Sequence, residues 1–415
     1  MATGLQAQDL SNETRWLAPD LDTTLALASQ PRRTMATPDE ASWFLVTLGE
    51  VAFRSPDILG PVARRGGLSC NVCHPNGHVA ANFFAEELSD KPGNVDLTTA
   101  VFRHLADDGV FNPVNIPSLR GVAATAPYGR EGLVGTVRRF SRTVIVAEFG
   151  GDEPSGRLLD ALVAYQQLLD FAPNPALLDD GRLADTAPKA ARRGEVVFVQ
   201  SSCARCHLPD DHFMDHRRYR VGSGGTYVTP TLLGLAATSP YFHDGRYSTL
   251  ADVVAHFNAA GNLGLGRQER RDLVAYLDAV GAVENDRQPV TLDGVLADMN
   301  RFDRLLDTTL AAGDLAPTRL VVGELHRMMA GLDERFPEAD QAALRGVILD
   351  WAIALRATER RAEAGDTVGA ATALAAYRRL FDTTAEQLRN ASGQSLFNPQ
   401  RLNALLASQA KKSLR

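Results

Sequence analysis

The chain has 415 residues, 45% of them hydrophobic and 22% charged, which is ordinary for a globular protein long enough to form two or three domains. Its net charge of −7 leaves no basic footprint for nucleic acid and tolerates small cationic redox partners without specifying them. No stretch approaches the roughly 20 apolar residues of a membrane span.

In chain order, residues 1–37 read as a polar, irregular N-terminal extension over the surface. A helix is expected from Pro38 to Phe53, where Trp43, Phe44, Val46, Leu48, Val51 and Phe53 form an apolar stripe after a Pro-Asp-Glu start. It ends in Gly49-Glu50-Val51-Ala52-Phe53 and leads to Cys70-Asn71-Val72-Cys73-His74. A loop rich in Asp, Asn and Gly follows, through His78 and Asp107-Asp108-Gly109, to the segment Pro117–Tyr128. Helices are expected around Thr136–Val146 and Leu158–Phe171, the second containing Leu162-Val163-Ala164-Tyr165. Asn174-Pro175 and the polar run to Pro188 read as a linker.

The second half repeats this order. Gly194-Glu195-Val196-Val197-Phe198 precedes Cys203-Ala204-Arg205-Cys206-His207, Pro230–Tyr241 follows, and Leu273-Val274-Ala275-Tyr276 closes the unit. Residues 117–132 and 230–245 are identical at nine of sixteen positions. Four landmarks in one order indicate an internal duplication.

Both cysteine stretches read Cys-x-x-Cys-His, the attachment signal of c-type haem. Two thiols one turn apart can add across the two vinyl groups of one porphyrin, and the next residue then offers an imidazole to the iron. A lone Cys-x-x-Cys could equally be a redox dithiol or half of a zinc site. All four cysteines of the chain sit in these two motifs, each followed by His, which favours two covalent haems. A porphyrin would stand in for core that a unit of ~100 residues otherwise lacks.

The expected fold is therefore all-α: an extension at 1–37, two duplicated cytochrome c-like haem domains at 38–180 and 181–286, and a helical bundle at 290–415. The last region has no cysteine and one histidine, His326. Its apolar patterns, such as Ala342-Leu344-Val347-Ile348-Trp351-Ala352-Leu355 and Ala371-Leu374-Tyr377-Leu380-Phe381, suggest about four helices, with a break from Asn390 to Pro399. Met328, Met329 and Trp351 read as core, not as ligands. Haem c is attached outside the bacterial cytoplasm, so an exported, periplasmic protein is expected, with Met1-Ala2-Thr3-Gly4-Leu5 standing where its leader was.

The doubled motif, with Pro240-Tyr241-Phe242-His243-Asp244-Gly245-Arg246 and then Thr249-Leu250, resembles the bacterial di-haem cytochrome c peroxidases, a family that includes MauG. The resemblance spans about residues 40–285 and leaves 290–415 outside it. It implies a peroxidatic haem with a distal glutamate and a second, electron-storing haem with an axial Met or Tyr. It also implies a calcium ion between the domains. Carried onto this chain, the proximal ligands are His74 and His207, the distal glutamate is Glu148, and the calcium residues are Asn115, Thr238 and Pro240. The axial Met or Tyr position holds Phe257, which cannot bind iron, so the second haem is five-coordinate or takes another ligand. His256, Met214, His212 and His216 are the candidates. The family's bridging Trp position holds Arg130.

His78 could reach the distal face or a propionate, or be a polar loop residue. His243 and Asp244 read as a hydrogen-bonding turn near the haem edge. Arg130 and Arg246 could pair with propionates or form surface ion pairs. The resemblance implies a periplasmic di-haem oxidoreductase reacting with hydrogen peroxide at the first haem. Its electrons would come from a cytochrome c or cupredoxin, or from residues of a partner protein as with MauG. The competing readings are an electron-transfer protein without turnover, using the helical region for docking, and a haem oxygenase-like enzyme acting on an organic substrate.

Overall fold

Helices carry the structure, and the few strands are two or three residues long, paired in three two-stranded pieces. The computed structural model describes residues 15–18, 21, 23–222, 224–281 and 287–413. The expected leader position at Met1, the first part of the 1–37 extension and the 282–286 end of the second haem segment lie outside the described residues.

The first long helix runs Trp43–Arg54, beginning with its apolar stripe and five residues later than the expected start at Pro38. Asp39 opens the turn that leads into it: its carboxylate accepts from the amide of Ser42, three residues on, at 2.8 Å and from the Ser42 hydroxyl at 2.5 Å, the reach of a capping residue. This helix crosses the Gly156–Gln167 helix so closely that a Cβ on Gly49 would lie 1.9 Å from the Ala161 carbonyl oxygen. The helices Lys189–Gln200 and Arg267–Gly281 meet in the same manner, a Cβ on Gly194 falling 1.9 Å from the Asp272 carbonyl. At both crossings a Phe packs on the tyrosine of the Leu-Val-Ala-Tyr run, Phe53 on Tyr165 at 5.2 Å and Phe198 on Tyr276 at 4.9 Å. Only glycine permits backbones this close.

The C-terminal region is six helices, not about four: Leu292–Asp303, Leu305–Ala311, Leu315–Glu334, Ala342–Glu363, Thr367–Asn390 and Pro399–Ser413. Part of the difference lies at Arg304, where residues 292–311 divide into two short helices. Met329 and Trp351 are buried, and the Trp351 indole donates to Thr384 Oγ1 at 2.7 Å.

This region is not a free appendage. Leu296, Phe302, Val321 and Leu325 share one continuous core with Val51, Phe53, Leu162 and Tyr165. Charge ties the same joint. The buried Glu50 carboxylate accepts from Arg33 at 2.6 Å, Arg54 at 3.1 Å and Arg301 at 2.7 Å. Residues 183–280 form a second, separate core around Phe198, Tyr241 and Tyr276. The 23–37 part of the extension is more ordered than its composition suggested. It carries a short helix, Thr23–Ala28, whose Leu27 is buried with Leu396 and Leu402, and a strand, Ser29–Pro31, that pairs with Arg287–Pro289.

Candidate haem-attachment sites

Cys70–Cys73 is a single helical turn, and the His74 amide closes it onto the Cys70 carbonyl at 2.8 Å. The turn faces the first core, so burial pushes both thiols up to about 12. His74 Nδ1 donates to the Pro117 carbonyl at 2.9 Å. A carbonyl can only accept, so this bond fixes the tautomer and leaves Nε2 with its lone pair outward. Burial holds the imidazole down to about 4, the neutral form a metal needs.

The second motif has the same logic on different partners. Cys203–Arg205 is a short 3-10 turn entered through Ser202 at φ +63°, and the His207 amide bonds the Cys203 carbonyl at 3.0 Å. His207 Nδ1 donates to the Phe213 carbonyl at 3.1 Å, and burial lowers its pKa. None of the four cysteines is paired in a disulfide. No group of three or more His, Cys, Asp or Glu among the described residues could hold a metal ion, so the zinc reading of Cys-x-x-Cys finds no further ligands. Two thiols and an oriented, neutral imidazole in each motif fit covalently attached haem.

Glu148 ends a one-turn π-helix, Val144–Glu148, before Gly150 turns the chain at φ +65°. Arg103 Nη1 donates to the Val146 and Ala147 carbonyls at 3.2 and 3.3 Å and holds this turn. Such turns recur where a side chain must be aimed off the regular helix. Desolvation raises the Glu148 pKa above the carboxylate norm, against the pull of the Arg130 charge.

Arg130 also lines a cleft of about 390 Å³ with Asp90, Lys91, Tyr227, His243 and Asp244. In it the His243 ring stacks on Tyr227 at 4.2 Å, and His243 Nδ1 is buried without a partner among the described residues. Asp244 accepts from Arg246, which engages that guanidinium within its own turn.

Asn115 reaches the same turn from the other half of the chain, its amide donating to the His243 carbonyl at 2.9 Å. Its Oδ1 is buried with no partner among the described residues. Pro240 is nearby, since its ring abuts Gly93 and Gly245, and Gly245 lies against Asn115. Thr238 Oγ1 instead donates to the Leu235 carbonyl at 3.1 Å, within its own turn.

The candidate second ligands fare unevenly. His256 has both ring nitrogens engaged: Nε2 donates to the Val221 carbonyl at 3.0 Å, so Nδ1 accepts from the Tyr247 hydroxyl at 3.0 Å. His216 donates from one nitrogen to the Ala126 carbonyl and from the other to Asp211 at 3.2 Å, a pairing that raises its pKa. His212 is exposed and stacks on Phe171 at 6.1 Å. Met214 is buried, but it directly follows the carbonyl that takes the outer nitrogen of His207, which places it behind the proximal ring. Phe257 packs against Phe242 at 5.7 Å. His78 is buried, with Nδ1 donating to the Val79 carbonyl at 3.2 Å.

Sequence reasoning missed Pro117 as the acceptor for His74, although its repeated position at Pro230 was a usable signal. It had no signal for Tyr219, whose hydroxyl reaches the Cys206 thiol across the loop.

Residues 199–285 match the family model for the di-haem cytochrome c peroxidases. The chain is 26% identical over 246 residues to the hydrazine synthase gamma subunit of Kuenenia stuttgartiensis, covering 44% of this chain and 69% of that one. It is 29% identical over 168 residues to the methylamine utilization protein MauG of Methylorubrum extorquens, covering 32% of this chain and 47% of that one. To the MauG protein of Methylophilus methylotrophus it is 24% identical over 278 residues, covering 56% and 81%. None of the described helices is long and apolar enough to cross a membrane. The chain is thus a relative of the di-haem cytochrome c peroxidase and MauG oxidoreductases, which carry two c-type haems, and its second motif lies inside the matched segment.

Proposed function

We propose that this protein is a periplasmic di-haem oxidoreductase that consumes hydrogen peroxide at the first haem and draws two electrons per peroxide from a cytochrome c or cupredoxin. The observation that carries this reading is the pair of motif histidines, each neutral and each tied through Nδ1 to a backbone carbonyl so that Nε2 is presented. Haem bound there supplies an iron that accepts peroxide and passes electrons. The rest is the work of the chain. Cys70 and Cys73, and Cys203 and Cys206, anchor one porphyrin each. Glu148, half-buried and with a raised proton affinity, moves a proton from the inner to the outer peroxide oxygen, which lets the O–O bond break with water as the leaving group. Two electrons and two further protons complete the conversion to two waters.

On this reading 38–180 and 181–286 are duplicated cytochrome c-like units, and 290–415 braces the first of them. Calcium between the units would be held by Asn115 Oδ1 with carbonyls of Thr238 and Pro240; the unpartnered Oδ1 supports this. With Phe257 apolar and His256 locked by two hydrogen bonds, the helix Leu250–Ala260 would offer a haem at the second motif no ligating side chain, unlike the electron-storing arrangement that the family resemblance implies. Oxidation of residues of a partner protein, as with MauG, is the second reading, favoured by that same loss of the axial ligand.

The test is peroxide consumption by the haem-loaded protein with reduced cytochrome c as donor. Glu148→Gln should slow it by about 10²-fold or more at unchanged haem content. An unchanged rate removes Glu148 from the mechanism. Ferric spectra that peroxide leaves unaltered point instead to an electron carrier.

A further inference from the structure

The C-terminal helices grip the first unit at a second place besides Glu50. Arg327, on the Leu315–Glu334 helix, uses every nitrogen of its guanidinium there: Nε donates to Glu324 Oε2 at 3.0 Å, Nη1 to Asp57 Oδ2 at 2.7 Å and Nη2 to Ser55 Oγ at 2.8 Å. Ser55 is buried and caps the short 3-10 turn Pro56–Ile58, its hydroxyl accepting from the Asp57 amide at 3.2 Å. Both acceptors on the first unit therefore belong to one turn, and a planar fork holds them in one orientation. Gly323 lets that turn approach the helix, since a Cβ there would lie 3.3 Å from Asp57 Oδ2.

The same turn lies against the segment that carries Glu148. A Cβ on Gly60 would fall 1.9 Å from the Phe149 carbonyl oxygen, and one on Gly151 would fall 2.7 Å from the Ile58 carbonyl oxygen and 3.0 Å from Ile145 Cγ2. Gly60 has φ −65°, so it is space and not backbone freedom that calls for glycine there. Ile58, Leu59, Ile145 and Phe149 are buried in one core. The Phe149 and Gly151 amides donate to the Val144 and Ile145 carbonyls at 3.0 and 2.8 Å, which ties this contact to the π-helical turn Val144–Glu148. Backbone packed on backbone in a dense interior transmits displacement, so a shift of residues 56–60 moves Glu148.

We propose that Arg327 is a positioning residue for Glu148, and that the C-terminal helices fix through it the placement of that carboxyl. The route runs from Arg327 to Asp57 and Ser55, along residues 56–60, and across to residues 149–151. The inference rests on Glu148 being the proton relay of the preceding section. It gives the 290–415 region a part in the chemistry as well as in stability.

The experiment uses the full, haem-loaded chain, with haem content by pyridine haemochrome and far-UV dichroism read first. Arg327→Met removes the whole fork. Asp57→Asn breaks the contact at a half-exposed residue and leaves the Arg327–Glu324 pair intact, so it keeps the fold. In both variants hydrogen exchange read by mass spectrometry should be faster in peptides spanning 144–151 and unchanged in those spanning 189–200. The rate with hydrogen peroxide should fall about tenfold or more in Arg327→Met, because a small misplacement of a reacting group is costly. Arg327→Lys, which keeps a charge beside Asp57, should lose less. In a Glu148→Gln background Arg327→Met should cost nothing further, since residues that act as a unit are not additive. Arg319→Met, which breaks an exposed pair with Glu363 on the same helix, should leave both the exchange and the rate as in the wild type. Unchanged exchange at 144–151 in both Asp57→Asn and Arg327→Met overturns the proposal, whatever the rates. So does a loss in the Glu148→Gln background as large as that in the wild type. A Glu148→Gln rate equal to that of the wild type fails the functional reading instead, and the exchange data then decide by themselves whether Arg327 holds the turn.

Discussion

Glu50 is the single group whose removal should cost the molecule most. Its carboxylate is 1% exposed and holds three guanidiniums, two from its own half of the chain, Arg33 and Arg54, and one from the C-terminal helices, Arg301. Glu50→Gln keeps the shape and removes the charge. Breaking a buried pair by deleting one partner costs about 3–5 kcal/mol, because the remaining charges stay buried without compensation. Asp298 lies 3.5 Å from Arg33, 3.4 Å from Arg54 and 2.7 Å from Arg301, so it retains part of the interaction and puts the expected loss near the lower end of that range.

The pH dependence follows from the same contacts. Burial alone pushes the Glu50 carboxyl up, but Arg54, Arg33 and Arg301 together outweigh it and hold the group below its ordinary 4.5. A carboxyl with a depressed folded pKa adds stability that is complete above the unfolded value and disappears as pH falls through the folded one. The wild type should therefore lose stability below pH 4.5, and Glu50→Gln should flatten that part of the curve. Urea unfolding followed by far-UV dichroism, repeated from pH 7 to pH 3, measures both effects. The exposed Arg64–Asp57 pair, at 3.6 Å, is the control, and Arg64→Met should change nothing resolvable. A Glu50→Gln loss below ~1 kcal/mol, within the range of an exposed pair, would refute the reasoning.

Three further outcomes follow from the packing and from the helix Leu250–Ala260. Gly194→Ala must separate two helices at a backbone carbonyl 1.9 Å from the new methyl, so it should destabilise by at least the ~1–3 kcal/mol of ordinary overpacking, read from the urea midpoint. Gly346→Ala, inside the Ala342–Glu363 helix with nothing within 4 Å of the added methyl, should stabilise by about 0.5–1 kcal/mol in the same assay. Phe257→Met offers the second iron a thioether and should convert it to a six-coordinate, low-spin form visible in the ferrous absorption spectrum; an unchanged spectrum means that this helix does not face the iron.

What the sequence disclosed was contiguous or periodic. The two Cys-x-x-Cys-His runs, the Leu-Val-Ala-Tyr helices and the break from Asn390 to Pro399 are local patterns, and each element stands close to where its pattern placed it. What it withheld depends on residues far apart in the chain. No local pattern joins Glu50 to Arg301 or sets Tyr219 beside Asp215, and only the repeat of Pro117 at Pro230 hinted at the His74 partner. His256 looked available in sequence because neither the Val221 carbonyl nor the Tyr247 hydroxyl that engage it is its helical neighbour.

The central claim is that one porphyrin is bonded to the polypeptide at each of two places. Intact mass spectrometry of the denatured protein, produced with a haem-attachment system, tests it directly, with Cys203→Ala/Cys206→Ala alongside. The account predicts a mass increase of two haems for the wild type and one for the variant. A bare polypeptide mass, or a single haem on the wild-type chain, would contradict it.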